Sequence, residues 1–532
     1  MVVSINPNAV NPHFICPADM LSNQSVASTA EDIIALLDAL PVQVTHVTAI
    51  SREARRGGVF LAYPGATNDG RAFIADAISR GVSAVLYEAG FDWYANSELG
   101  NTVPHAAVKN LKRFASLIAG HVYQNPSNDL WMIGVTGTNG KTSVSQWIAQ
   151  ALATTSKRSA VVGTIGNGFV EQLTAAENTT PDAVMLQRLL RDYVNAGAQA
   201  CAMEVSSHGL DQGRAADVKF DIAVFTNLTR DHLDYHLTME AYGAAKARLF
   251  QSRGLKTAVI NVDDPFGRKL AEDISNNGSN VRVVRFACNG GSKFANLTGA
   301  NLSVSPSGLS FTVRLLGDTK QEARVDSAIL GAFNISNLLA VIGALLASGV
   351  NLAAAAKIAS ELKPVPGRMQ TVRSGQKGGD ANKPLVVVDY AHTPDALEKA
   401  LSTLAAVVPD KGRLISVFGC GGDRDRGKRP LMGAVSAQFA DLTIVTSDNP
   451  RTEDAQRIIA DIEPGMIGAA YRVVADRYQA IYEALNAANQ SDIVLIAGKG
   501  HEDYQIIGES KQHFSDVEVA VEALAQWKGP SP

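Results

Sequence analysis

From about residue 130 onward, short apolar runs alternate with segments of helical period. Trp131-Met132-Ile133, Val161-Val162-Gly163-Thr164, Ala200-Cys201-Ala202-Met203-Glu204-Val205, Ile222-Ala223-Val224-Phe225 and Thr257-Ala258-Val259-Ile260 are the runs. Between them, 182–196 and 238–251 carry apolar residues at helical spacing. Runs without polar alternation predict strands buried on both faces, and their alternation with helices predicts a parallel sheet covered on both sides. Residues 281–327 change to period two with turn residues between, which predicts antiparallel strands. A second α/β unit repeats the rhythm, with strands near 385–389, 413–418, 442–446 and 492–497. Upstream, 57–62 and 82–87 read as buried strands, with Asn68-Asp69-Gly70-Arg71 a turn between them. Glu361 to Gly367, which holds two prolines, reads as a hinge.

One stretch tests the membrane alternative. Ser327 to Ala356 has no charged residue and is long enough to span a bilayer. Asn334, Ser336 and Asn337 interrupt it, and Gly349-Val350-Asn351 reads as a turn, so a buried helix pair is expected instead. The first residues lack the basic start and apolar stretch of a signal peptide. At 532 residues the chain has room for three or four domains of roughly 150 residues each. A net charge of −4 gives no reason to expect nucleic acid or anionic lipid as a partner. The four cysteines, Cys16, Cys201, Cys288 and Cys420, lie far apart without a C-x-x-C pair, which fits free thiols in a cytoplasmic protein.

The stretch from Val135 to Ser143, V-T-G-T-N-G-K-T-S, lies between a predicted strand and a predicted helix. Glycines that admit backbone N–H groups to phosphate oxygens, next to a helix N-terminus, form a phosphate cradle. Lys141 is placed to reach the terminal phosphates and the Thr142 hydroxyl to bind Mg²⁺. Val135 takes the first glycine position of the strict pattern, leaving a tighter G-x-x-G-K-T and an expectation of ATP use. Two polar clusters follow strands of the same predicted sheet, Glu204 to His208 and Thr226 to His236, where open parallel sheets bind ligands. A carboxylate and a histidine at adjacent strand ends can share a hard cation that also holds ATP phosphates. Gly419-Cys420-Gly421-Gly422-Asp423-Arg424 begins like a dinucleotide fingerprint, but Arg424 replaces its third glycine and suits a carboxylate better.

Taken in order, these motifs resemble the Mur ligase family, ATP-dependent amide-forming enzymes of peptidoglycan synthesis. The likeness runs from about Ser51 to Ala520. Its motifs are G-T-N-G-K-T (137–142), E-N-T-T (177–180), M-E-V-S-S-H-G-L (203–210), F-T-N-L-T-R-D-H-L-D-Y-H (225–236) and F-N-I-S-N (333–337). They continue as P-G-R-M (366–369), D-Y-A-H-T-P (389–394), F-G-C-G-G-D-R-D (418–425), D-N-P-R-T (448–452) and G-K-G-H-E (498–502).

The resemblance implies an α/β protein of three domains. An N-terminal α/β domain (1–112) would bind a UDP-substrate, a central parallel-sheet P-loop ATPase domain (113–362) ATP, and a Rossmann-like C-terminal domain (363–532) an amino acid. It further implies that ATP phosphorylates the D-glutamate γ-carboxylate of UDP-N-acetylmuramoyl-L-alanyl-D-glutamate, and that the amine of meso-diaminopimelate attacks the acyl phosphate. Lys141, Glu204, His232, Lys246 and Arg368 would be catalytic. ATP would meet Gly137, Thr138, Asn139, Gly140, Lys141, Thr142, Ser143, Asn334, Asn337 and Asp389. Mg²⁺ would be held by Thr142, Glu204, His232 and Lys246, the last carbamylated to N6-carboxylysine. The UDP-substrate would meet Ser51, Asn178, Thr179, Thr180, Ser206, Gln212 and Arg214. Diaminopimelate would meet Arg424, Asp448, Asn449, Pro450, Arg451, Gly498 and Glu502. Ile50 departs from the D-S-R triplet usual in the family, which changes the expected uridine pocket. The resemblance implies a cytoplasmic monomer that binds small molecules, with no nucleic-acid partner and no membrane insertion.

Two other readings remain at this stage. A folylpolyglutamate synthase has a similar phosphate loop, but is not expected to carry the D-N-P-R and G-K-G-H-E pair. A nucleotide-binding regulator or transport ATPase would turn over ATP without regard to any amino acid.

Overall fold

The computed structural model describes residues 26–65, 68–92, 103–155, 157–288, 294–317, 320–375 and 382–529, so Cys16 lies outside the described residues. Three successive sheets organise the chain, with a small hairpin, Tyr504–Ile507 and Ser510–His513, near its end.

The first sheet has four parallel strands, His46–Thr48, Gly58–Ala62, Ala84–Glu88 and His105–Val108. The middle two match the predicted runs. The outer two are short, and each begins on a buried histidine, so no apolar run marked them.

The second sheet has eleven strands. Arg282–Ala287, Thr257–Asn261, Ile222–Phe225, Trp131–Thr136, Ala200–Glu204 and Ser159–Gly163 lie side by side in that order, all parallel. Leu297–Ser305, Gly308–Leu315 and Gln321–Ser327 extend one end as an antiparallel meander, and Gly166–Phe169 with Gln172–Thr174 extend the other. The antiparallel expectation for 281–327 therefore holds for the meander but not for its first strand. Arg282–Ala287 runs parallel to Thr257–Asn261 because the helix Pro265–Asn276 returns the chain before it pairs.

The charge-free stretch forms the helices Phe333–Ala347 and Leu352–Glu361. The first is buried along most of its length in the same core as the helix Lys141–Thr154. No described helix is long and apolar enough to cross a membrane.

The third sheet orders Gln370–Val372, Leu385–Asp389, Ile493–Ala497, Leu414–Phe418, Leu442–Val445 and Tyr471–Val473, parallel after the first pair. Its strand ends, and those of the second sheet, carry most of the polar motifs.

Candidate active site

The strand Trp131–Thr136 runs into the phosphate loop, and the helix Lys141–Thr154 leaves it. Gly140 caps that helix at φ 87°, and a Cβ there would stand 2.5 Å from the Asn337 side-chain oxygen, so only glycine fits. Asn337 in turn donates to Asn334 Oδ1 at 2.8 Å, and Asn334 to the Leu330 carbonyl at 2.7 Å. Lys141 Nζ donates to the carbonyls of Thr138 (2.8 Å) and Gly137 (3.1 Å). Burial lowers its pKa, with Arg368 adding in the same direction and Glu204 and Asp231 opposing. Ser143 is buried in the first helical turn.

Glu204 ends the neighbouring strand and is buried. Its Oε2 accepts from the Thr142 hydroxyl (3.0 Å) and the Thr164 hydroxyl (3.1 Å), and its Oε1 accepts from the Thr164 N–H (2.8 Å). Lys246 is fully buried on the helix Met239–Ala247, not solvated as a charged helix residue usually is. Its Nζ donates to the Gly137 carbonyl at 2.7 Å and lies 4.2 Å from the centre of the Tyr242 ring. Burial and the neighbouring Lys141 ammonium push its pKa well below the usual lysine value. His232 adopts φ 53°, pairs with Asp231 at 3.3 Å and packs edge-on to His208, the ring centres 4.8 Å apart. Burial lowers its pKa.

A cavity of about 460 Å³ joins most of these groups to the third sheet across the hinge, though Gly137 and Lys246 are not among its lining residues. Thr138 to Ser143, Glu204, His232, Asn334, Asn337, Arg368 and Asp389 all line it. Arg368 stacks on Tyr390 at 4.5 Å and approaches the Thr142 hydroxyl at 3.5 Å. Asp389 accepts from the N–H groups of Met369 (2.7 Å) and Ala391 (2.8 Å), and burial raises its pKa against the pull of Arg368.

Among the described residues, no group of three or more His, Cys, Asp or Glu side chains forms a metal cage. The donor set still fits Mg²⁺, which keeps several waters and takes one or two carboxylates alongside substrate phosphates. Glu204, with hydroxyls from Thr142 and Thr164 close by, is such a set.

The residues expected to hold the amino acid divide. Asn449 Nδ2 donates to Glu502 Oε2 at 2.9 Å, and Asp448, Pro450 and Gly498 are buried beside them. Asp448 Oδ1 is buried without a hydrogen-bond donor among the described residues. Arg451, at φ 52°, donates from its side chain to the Gly422 carbonyl at 2.8 Å. Arg424 is exposed and its side chain donates to the Asp423 carbonyl (2.9 Å).

The expected UDP-substrate residues also divide. Thr180 hydrogen-bonds Ser206 (3.1 Å), and Arg214 bonds both the Thr180 carbonyl (2.7 Å) and Gln212 (2.7 Å), one connected network behind Glu204. Thr179 lines the 460 Å³ cavity, while Asn178 is exposed. Ser51 stands apart and lines a second cavity of about 590 Å³ with Ile50, Asn68, Asp182 and Arg188.

Several site groups carried no expectation. Thr164 follows the strand Ser159–Gly163, and the strand-end rule that singled out Glu204 applies to it equally. Asp395 accepts from Asn139 of the phosphate loop (2.8 Å) and pairs with Lys399 (2.9 Å). Tyr390, His501 and Lys499 lie within quoted motifs, yet sequence gives no hint of which way their side chains turn.

A phosphate loop, a strand-end carboxylate and an arginine from across a hinge define a nucleotide-dependent group-transfer site. Known proteins agree on its class. The Mur ligase middle domain matches residues 135–345, and the Mur ligase glutamate ligase domain matches residues 367–500. The UDP-N-acetylmuramoyl-L-alanyl-D-glutamate–2,6-diaminopimelate ligase of Chromobacterium violaceum is 49% identical over 93% of this chain and 97% of its own length. The enzyme of that name from Pseudomonas aeruginosa is 48% identical over 92% and 96%. A solved structure of such a ligase has a TM-score of 0.64 at 38% identity, covering 90% of this chain and 94% of its own. Mycobacterium tuberculosis folylpolyglutamate synthase shares the fold, with a TM-score of 0.59 at 17% identity over 79% and 96%. The chain belongs to the Mur ligase family. It is an ATP-dependent amide ligase.

Proposed function

We propose that this ligase joins meso-2,6-diaminopimelate to the D-glutamate γ-carboxylate of UDP-N-acetylmuramoyl-L-alanyl-D-glutamate, within peptidoglycan precursor synthesis. The likeness to the Chromobacterium and Pseudomonas enzymes supports it. The observation that carries it is the Asp448–Asn449–Glu502 cluster beside Arg451. Carboxylates suit an ammonium, and a guanidinium suits a carboxylate. The distal end of diaminopimelate has both, whereas that of L-lysine has an ammonium alone.

In this reading a γ-carboxylate oxygen attacks the terminal phosphorus of ATP, and ADP leaves. The amine nitrogen then attacks the acyl carbon, and the tetrahedral intermediate loses phosphate and a proton. Lys141 and Arg368 neutralise the oxygens of the transferring group, and the cavity holds the reactants in line. Thr142, Glu204, His232 and carbamylated Lys246 would hold Mg²⁺, which supplies positive charge to the phosphates. A lysine whose pKa is lowered by burial presents the neutral amine that carbamylation requires. Its nitrogen adds to the carbon of CO₂ and releases a proton.

The three sheets would divide the substrates as the resemblance implies: UDP at the first, ATP at the second, the amino acid at the third. In this reading the enzyme works in the cytoplasm as a monomer. The test is product mass after incubation with ATP, the UDP-dipeptide and either amino acid. The reading expects the diaminopimelate tripeptide in large excess, and efficient L-lysine incorporation would refute it.

A further inference from the structure

Lys499 has no role in the account so far, yet its side chain is fully buried. It sits in the loop after the strand Ile493–Ala497, between Gly498 and Gly500. Its ammonium is 3.1 Å from Asn449 Oδ1, 3.4 Å from Glu502 Oε2 and 3.6 Å from Asp448 Oδ1. The Tyr504 ring centre lies 5.5 Å away. A charge is buried this completely only among partners that replace water, and each oxygen partner here belongs to the candidate amino-acid pocket.

We infer that Lys499 is the positioning residue that sets amino-acid recognition, an inference that rests on the diaminopimelate reading above. Two consequences follow from its contacts. The first is orientation. Asn449 Oδ1 receives Lys499 and the Ile506 N–H (3.0 Å), so its amide can turn only one way, with Nδ2 toward Glu502. Glu502 Oε2 is then occupied by two donors. Oε1, 3.5 Å from the Tyr390 hydroxyl, keeps lone-pair capacity for a substrate ammonium.

The second consequence is charge. Asp448 and Glu502 alone would give the pocket two negative charges and a strong attraction for any ammonium, including that of L-lysine. Lys499 cancels one. A bare ammonium then gains little, and an ammonium accompanied by a carboxylate that reaches Arg451 gains more. Discrimination thus comes partly from a cation that does not touch the substrate's carboxylate.

The test compares Lys499→Met and Lys499→Arg with the unmodified enzyme, reading KM for each substrate and the ratio of kcat/KM for meso-diaminopimelate over L-lysine. Lys499→Met should raise KM for diaminopimelate about 10-fold, the effect expected on losing hydrogen bonds to charged groups. KM for ATP should stay unchanged and the ratio should fall. Lys499→Arg keeps the charge but not the compact contact, so KM should rise while the ratio persists. A purely structural lysine would lower thermal stability and leave KM and ratio alone, and that result overturns the inference. If Lys499→Met does not fold, Lys499→Arg decides: an unchanged diaminopimelate KM also overturns it. Should the unmodified enzyme prefer another amino acid, the diaminopimelate reading fails. The positioning role then stands if that amino acid's KM shifts in the variants, and falls if it does not.

Discussion

Lys246 shows how far a residue's setting can depart from what its type suggests. Its amine is buried and close to Lys141, two features that favour the uncharged form. Lys246→Ala should therefore lose about 100-fold or more in ligation, the scale of removing one charged group from a preorganised site. Short carboxylates added to the assay should restore part of the rate if the lysine works as a carbamate. Intact-mass spectra of active enzyme carrying only unmodified lysine would exclude that role. His501 makes a second prediction. Burial and the Arg368 guanidinium depress its pKa to about 4, below the ordinary 6.5. Between these values the unfolded chain binds the proton and the folded chain does not, so stability falls as pH drops from about 6.5 to about 4. His208, also near 4 through burial and its histidine neighbours, acts in the same direction. In urea unfolding at stepped pH, His501→Asn should flatten this decline, and an unchanged slope would contradict it.

At the scale of elements, the hinge and the G-K-G-H-E loop are held backbone to backbone. Gly367 has φ 67°, and a Cβ there would overlap the backbone of Gly500 and His501. Arg368 follows directly, so the same close approach that fixes the end of the hinge also helps aim the guanidinium at the phosphate loop. Gly367→Ala should cost about 2 kcal/mol, combining left-handed strain with overpacking. It should also lower kcat more than it raises KM for ATP. Calorimetry and steady-state rates check this, and a wild-type melting temperature with wild-type kcat would refute it. The strand–helix rhythm was legible because strands such as Ile222–Phe225 are buried on both faces and leave unbroken apolar runs. Edge strands were less so: His46–Thr48 is too short to leave a run. Arg282–Ala287 alternates like an antiparallel strand although it pairs in parallel. Pairing direction is set by the preceding crossover, and a strand's own pattern cannot report it.

For the whole molecule, the cavity between the second and third sheets is where the account stands or falls. The phosphate loop was readable as a local motif, because its glycines and lysine act within a few residues of one another. The long-range links of the candidate site were not. Asp395 reaches Asn139 across 256 positions of sequence, and Lys499 reaches Asn449 across 50. No local pattern encodes such partners; only the packing of the sheets brings them together. A site assembled from both sides should not spend ATP until each substrate is in place. Phosphate release with ATP, Mg²⁺ and UDP-N-acetylmuramoyl-L-alanyl-D-glutamate, with and without meso-diaminopimelate, tests this most directly. The account predicts sustained release only when diaminopimelate is present, in step with tripeptide formed. Equal release in its absence would contradict it and mark the protein as a nucleotidase without ligase activity.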